Sequence, residues 1–458
     1  MSSDLQAGIS SQILVQGKAA VATGALVDLI GSAGTLYNVG ARYTLLTADQ
    51  GLTGTYTLAG NTSLSAVLAV TPFYDANHFY LDVTQRSLLI NAGLTLNQKA
   101  TLAAIQGLSF SSVPFTDVTN LQSNAQIRYA ADQLSGEIHA SVQNTFLEDS
   151  RFVRDAVTTR LRQAGPDGQS LDESSNQSVK TQANGLAWWG QFVGSWGHHD
   201  SDADDASMSH TLGGFLVGAD MPVGSSSRVG MITGYTQTSI NVDQRGSNVS
   251  SDDVHFGVYA GTQLSALGLS LGAAYTQHSF DTNRSIILPD YTGHVRDNSN
   301  DAYTAQVFGE ADYRFLFKSF TLEPFAQGAY VRFNTDGFQE QGGAMALSGS
   351  GSSHAVTYTT LGTHATTHFL FNGDFFTAHA SVGWRHAFGN VQPDAVMAFA
   401  NGDPFTVEGL PIARNALAVD TGLDLHLTKK ATISVSYNGQ IAAHAVDSGV
   451  KGGFTWQF

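Results

Sequence analysis

Four arginines, Arg151, Arg154, Arg160 and Arg162, crowd into residues 150–162 against one acid, Asp155, for a net charge of +3. Their guanidinium groups are permanently charged donors, so such a segment either faces water or seeks carboxylates. A second cluster sets His198 and His199 beside Asp200, Asp202, Asp204 and Asp205. Metal ligation needs fixed geometry and supporting outer contacts, which an exposed acidic loop lacks, so the expectation here is a polar loop without a metal. Serine and histidine are plentiful, but no spacing marks a nucleophile, base and orienting group.

Composition narrows what these residues can serve. The chain has 458 residues, of which 13% are charged, with 38 Asp and Glu against 22 Lys and Arg and no cysteine. Typical soluble domains run at about 25% charged. The acidic balance argues against a nucleic-acid partner, which needs clustered Lys and Arg. Absent cysteine excludes disulfides, thiolate nucleophiles and Cys-ligated zinc. No apolar run reaches the ~18 residues of a spanning helix. Residues 1–17 show no basic stretch followed by an apolar one, the pattern of a secretory signal. Because the rest reads as exported, the expectation is that this start is a truncation or a mis-assigned one.

The elements that must position the arginines fall into three textures. Residues 1–120 hold short runs such as Tyr43-Thr44-Leu45-Leu46 and Gly54-Thr55-Tyr56-Thr57-Leu58 bounded by Gly and Asp. These read as strands with no long helix among them, and fit a parallel β-helix end or a small sandwich. Over 122–163 the pattern becomes helical: Ile127, Ala131, Leu134, Ile138, Val142, Phe146, Val153, Val157 and Leu161 form one stripe, with Gly136 a point where it can bend. Residues 164–185 are rich in Gly, Ser, Asn and Gln, a linker.

From Leu186 onward residues alternate strictly. In the last stretch Val450, Gly452, Phe454, Trp456 and Phe458 share one face and Lys451, Gly453, Thr455 and Gln457 the other. Twelve strands can be placed, each long enough for the ~9–11 residues of a tilted membrane strand. Short turns alternate with longer polar loops, expected near 200–205, 243–251, 282–299, 334–354 and 389–410. Trp188, Trp189, Trp196, Trp384, Trp456, Tyr235 and Tyr259 fall near strand ends, as interfacial girdles require. The expected fold is mainly all-β: a twelve-stranded antiparallel transmembrane β-barrel. Over 186–458 the chain carries 24 Asp and Glu against 12 Lys and Arg, net −12, an electrostatic match for the cationic segment.

Several stretches together resemble the translocator end of a bacterial autotransporter, a type V secretion protein. They are Leu134-Ser135-Gly136-Glu137-Ile138-His139-Ala140-Ser141, Leu147-Glu148-Asp149-Ser150-Arg151, the Trp188-Trp189-Gly190 opening and the Gly452-Gly453-Phe454-Thr455-Trp456-Gln457-Phe458 ending. Upstream, residues 40–48 and 51–56 resemble the last rungs of a β-helical passenger. The resemblance implies three parts: a passenger end with a β-helix and autochaperone-like role over 1–121, a helical linker and pore segment over 122–185, and an outer-membrane barrel over 186–458. It implies that the helix plugs the lumen through Arg151, Arg154, Arg160 and Arg162, and that the barrel exports and anchors its own passenger at the cell surface. It further implies recognition of Phe454, Trp456 and Phe458 as an outer-membrane assembly signal. Some members cut their passenger at a pore asparagine whose amide attacks its own carbonyl, and Asn124 and Asn144 are candidates by position. The implied partners are outer-membrane lipid, the barrel-assembly machinery and periplasmic chaperones. A monomer without cofactor, metal or catalytic residues is expected, and the passenger's ligand is not named by the sequence. A diffusion porin is the alternative reading, and a barrel hydrolase a weaker one.

Overall fold

The computed structural model describes residues 2–5, 10–31, 35–163, 185–202, 204–428 and 430–457. The linker expected over 164–185 therefore lies, but for Gly185, outside the described residues, as does Phe458.

The N-terminal strands stack in parallel. Ile13 pairs with Leu46, Ala19 with Leu52 and Leu26 with Thr57, offsets of 33, 33 and 31 residues. A near-constant offset between parallel partners makes each turn of chain one coil of a β-helix, its apolar faces buried only by stacking. An antiparallel hairpin, Leu68–Tyr74 with His78–Gln85, closes the stack against Arg42–Ala48. Tyr43, Leu45 and Leu46 are buried in the core, and Leu52 and Tyr56 pack against it. The sandwich alternative falls on this parallel register.

Helices then follow, two of them where only strands were expected. Helix α1, Leu96–Gln106, opens on a capping box in which Thr95 accepts from the Gln98 amide and the Gln98 side chain reaches back. Thr95-Leu96-Asn97-Gln98 is a readable start signal, hidden because the following stretch buries polar Asn97, Gln98 and Thr101 rather than a clean apolar stripe. Helix α2, Val113–Thr119, carries Pro114 in its first turn, where the missing N–H costs nothing. The long expected helix divides into α3 (Asn124–Leu134), α4 (Ile138–Asp149) and α5 (Arg151–Gln163). At Gly136 the backbone takes φ +70°, and a Cβ there would lie 2.6 Å from Leu347 Cδ1 and 2.9 Å from Met397 Sδ. Glycine is thus required twice, by conformation and by space.

Twelve barrel strands complete the chain: β1 (Ala187–His199), β2 (Met208–Val223), β3 (Ser227–Val242), β4 (Ser247–Leu264), β5 (Leu267–Leu288), β6 (Tyr291–Tyr313), β7 (Thr321–Thr335), β8 (Ser352–Phe371), β9 (Asp374–Phe388), β10 (Asn415–Thr428), β11 (Ala431–Ile441) and β12 (Ala445–Gln457). Each pairs antiparallel with the next, and β1 pairs with β12 from Ala187↔Gln457 to His199↔Ala445, so the sheet closes. Closure leaves no unpaired edge, as lipid demands. Trp188, Phe192, Trp196, Phe454 and Trp456 point outward, while Trp189 and Tyr259 are buried in the lumen. Placing Trp189 and Tyr259 in the girdle is therefore corrected: period 2 forbids Trp188 and Trp189 from sharing a face.

Two expected loops are also strands. Residues 282–288 and 291–299 continue β5 and β6 to a two-residue turn, and 247–251 belong to β4. Arg284, Ile286, Leu288 and Val295 on these extensions are buried, so the hairpin outruns the membrane because α3 and neighbouring loops cover it. At roughly 3.3 Å per residue its strands are about 70 Å long, well beyond an apolar band of about 25 Å even when tilted. Residues 336–351 and 389–414 add a small sheet of Phe338–Gln339, Leu347–Gly349, Asp394–Phe399 and Phe405–Glu408.

Substituting Gly136→Ala should destabilise the turn between α3 and α4 by about 1–3 kcal/mol, from left-handed strain and displacement of Leu347 and Met397. Limited proteolysis should then cut near 135–137 while the barrel band keeps its unheated gel mobility. Unchanged protection would show that the turn tolerates a side chain.

Candidate functional site

Helices α4 and α5 run inside the barrel. Their apolar stripe, Ile138, Val142, Phe146, Leu147, Val153, Ala156 and Val157, packs with inward residues including Leu216, Ile232, Phe280, Val331 and Phe333. Phe146 lies 4.2 Å from the His278 ring and 5.7 Å from Phe333. The break at Ser150 is held by the wall: Gln306 donates Nε2 to the Ser150 carbonyl at 2.8 Å. The diffusion-porin alternative needs an open channel, and these helices fill it.

The arginines find partners on the wall. Arg151 reaches Asp447 on β12 at 2.5 Å. Arg160 meets Asp220 on β2 through Nε at 2.7 Å and Nη2 at 3.0 Å, a two-pronged contact. Arg162 lies 2.6 Å from Glu310 on β6. Among the described residues Arg154 has no acid at this range; it donates to the amide oxygens of Gln306 and Gln327, at 3.0 and 3.2 Å. One pair runs the other way, from Arg385 on the wall to Glu148 on α4 at 2.6 Å. Asp220 also accepts from Arg228 at 2.5 Å and from the Tyr259 hydroxyl at 3.1 Å, and Trp189 donates to that hydroxyl. Alternation alone could not tell these wall acids from loop acids, since helix register against strand register decides who meets whom.

The mouth opposite the strand termini is clasped. Arg284, fully buried, grips Glu340 at 2.6 and 2.7 Å and donates to the Gln133 carbonyl, while His139 lies 2.9 Å from Glu340 and stacks on Phe338. Despite burial, Arg284 and His139 hold the Glu340 carboxyl well below its usual range. The 200–207 loop does not lie free as a solvated acidic loop. Asp204 accepts from the Asn97 amide at 3.1 Å and Asp205 from the Asn97 side chain at 3.2 Å, while the Ala206 amide donates to Glu137 at 2.7 Å. Burial, reinforced by Glu137, Asp202 and Asp204, pushes the Asp205 carboxyl up to about 8. Among the described residues, no three His, Cys, Asp or Glu side chains converge as metal ligands. Asn97, Glu137, His139, Arg284 and Glu340 escape sequence reading because each partner is distant in the chain.

Asn124 is exposed at the start of α3, outside the barrel. Asn144 is enclosed on α4, its Nδ2 donating to the carbonyls of Leu410 and Pro411 at 3.0 and 3.1 Å. Phe454 and Trp456 sit on the outer face of β12 with ring centroids 6.4 Å apart.

A closed barrel with an apolar exterior and a helix pinned through its lumen defines an outer-membrane translocator. Residues 188–438 match the family model described as "Autotransporter beta-domain", and the chain belongs to that family. It is 33% identical over 364 residues to an extracellular serine protease of Serratia marcescens, covering 79% of this chain and 33% of that protein. A second Serratia marcescens protein of the same description is 33% identical over 368 residues, 80% of this chain and 34% of that one. The chain thus spans about a third of the curated relatives it matches. The translocator domain of the autotransporter NalP from Neisseria meningitidis superposes with a TM-score of 0.52 at 14% identity, covering 68% of this chain and 98% of that one. The protein is an outer-membrane autotransporter barrel that exports a passenger.

Removing one partner of a buried pair leaves a bare charge, at about 3–5 kcal/mol. Asp220→Asn leaves Arg160 and Arg228 facing each other and should raise the frequency of channel openings in planar bilayers. High salt should move the parent only partly, acting first on the more exposed Arg162 pair. Equal opening in parent and variant would show that the pair does not hold the plug.

Asp205 also predicts a pH dependence. The folded carboxyl keeps its proton to about 8, against an ordinary value of 3.8, so its contact is firmest below pH 4 and weakens as pH climbs toward 8. Asp205→Asn should slow hydrogen exchange of the α1 amides at pH 8 and leave it unchanged near pH 4, after correction for intrinsic rates. The same difference at both values would separate the effect from titration.

Proposed function

We propose that residues 1–121 are the membrane-proximal end of the exported passenger, 122–185 its pore segment and 186–458 the translocator that anchors it. What supports this reading is the chain's path: a β-helix outside the mouth, a turn at Gly136, α4 tied through Glu148 to the wall's Arg385, and α5 tied to inward acids. The stacked coils formed by the described N-terminal strands provide a stable unit on which further coils can fold. Both Serratia relatives are described as extracellular serine proteases, so a serine protease is the cargo class this reading favours. For passenger release by asparagine attack, Asn144, within the enclosed part of α4, is the position to substitute rather than exposed Asn124.

The same reading assigns Phe454, Trp456 and Phe458 to the strand by which the barrel-assembly machinery, after delivery by periplasmic chaperones, takes up the chain. An epitope fused before Ser2 should be digested by protease added to intact cells. Deleting Phe458 should abolish that exposure in cells, with chain degraded in the periplasm, yet leave refolding from urea into detergent unchanged. An epitope protected in intact cells carrying the parent would overturn export. Normal exposure of the Phe458 deletion would leave Phe454 and Trp456 as girdle residues alone.

A further inference from the structure

The hydrophobic core of the β-helix does not end at the barrel mouth. It runs through Leu102 and Ile105 of α1, Leu108 just beyond it, and Ile127, Ala131 and Leu134 of α3 into Ile286 and Leu288 of β5 and Leu347, Met397, Phe405 and Val407 of the small sheet. Helix α1 lies in a socket whose walls are α3, the strand Phe405–Glu408 and the 200–207 loop. Asn97, 3% exposed, is the polar pin of that socket. Its Nδ2 donates to the Glu408 carbonyl and its Oδ1 accepts from the Glu408 amide, both at 2.9 Å, so the side chain pairs with that strand's end as a neighbouring strand would. The two remaining donors, Nδ2 and the backbone amide, go to Asp205 and Asp204. One side chain thus ties the loop at Asp205 to the strand end at Glu408, distant from each other in sequence.

We propose that this socket is a binding site for the chain's own 1–121 segment, strong enough to hold it on the barrel once the covalent link to α3 is cut. Helix α3 remains with the barrel in that event, kept in place by Arg284 on the Gln133 carbonyl and by Arg245, whose Nη2 lies 3.7 Å from Asp132. The pore helix then seals the lumen, and the socket separately retains the passenger end. Retention in this sense is a property of the folded mouth and does not depend on the route of export.

The link between α2 and α3 is exposed at Gln122 and Ser123, which makes the cut feasible on the folded protein. A site for a sequence-specific protease is inserted after Gln122 in the full chain, and the purified protein is cut in detergent and passed over a sizing column. The fragment carrying residues 1–122 should co-elute with the barrel. In Asn97→Ala and Asn97→Asp chains cut the same way, it should dissociate roughly tenfold to a hundredfold faster, as a lost buried hydrogen-bond set converts. The aspartate, facing Asp204 and Asp205, should be the worse of the two. Gel mobility of the unheated barrel reports that each variant is folded. Release of the fragment from the cut parent overturns the proposal, and so does retention that neither variant weakens.

Discussion

Closure of the sheet between β1 and β12 is the constraint from which the rest of the molecule follows. A barrel in lipid must pair all its backbone donors and acceptors internally, and pairing Ala187↔Gln457 through His199↔Ala445 does so. Once closed, the alternation of residues is forced: one set of side chains faces lipid and the other a common interior. That interior receives Asp220, Glu310 and Asp447, which are costly to bury without a counter-charge. The helix carrying Arg151, Arg160 and Arg162 supplies it. Plug and barrel are therefore parts of one charge-matched unit.

Beyond the membrane the logic changes from charge to apolar cover. The extended hairpin β5–β6 buries Ile286, Leu288 and Val295 only because α3 and the loop sheet lie on it. Helix α1 in turn buries Leu102 and Ile105 against α3 and Phe405. Each layer is stabilised by the next one outward, so the mouth folds as a stack from barrel to β-helix. The polar clasps at Glu340 and Asn97 fix register within that stack and add specificity that apolar contact lacks.

Much of this was legible in the sequence. Period 2 with long strands and an acidic β region announced a barrel, and β1, β3 and β9 end just where the loops near 200–205, 243–251 and 389–410 were expected to begin. The arginine cluster was readable as a charge seeking acids, because four guanidiniums with one acid have few other stable fates. What was not legible depended on cover. Residues 282–299 look like a polar loop, since Arg284, Asn283 and Asp290 obscure the alternation of Thr282, Ile286 and Leu288. Whether such a stretch pairs as sheet is decided by α3, which is distant in the chain. Asn97 gave no signal, and Asp205 read only as a loop acid, for the same reason: a clasp between remote segments leaves no local pattern.

The pins between α5 and the wall have a consequence for stoichiometry. A transporter that empties after each passage can turn over, but a barrel whose last cargo segment is ion-paired to its own interior has a single product. On the proposed reading, passengers exported then equal the barrels inserted, one for one. The cell can raise the flux of cargo only by making more protein, so control of export passes from gating to synthesis.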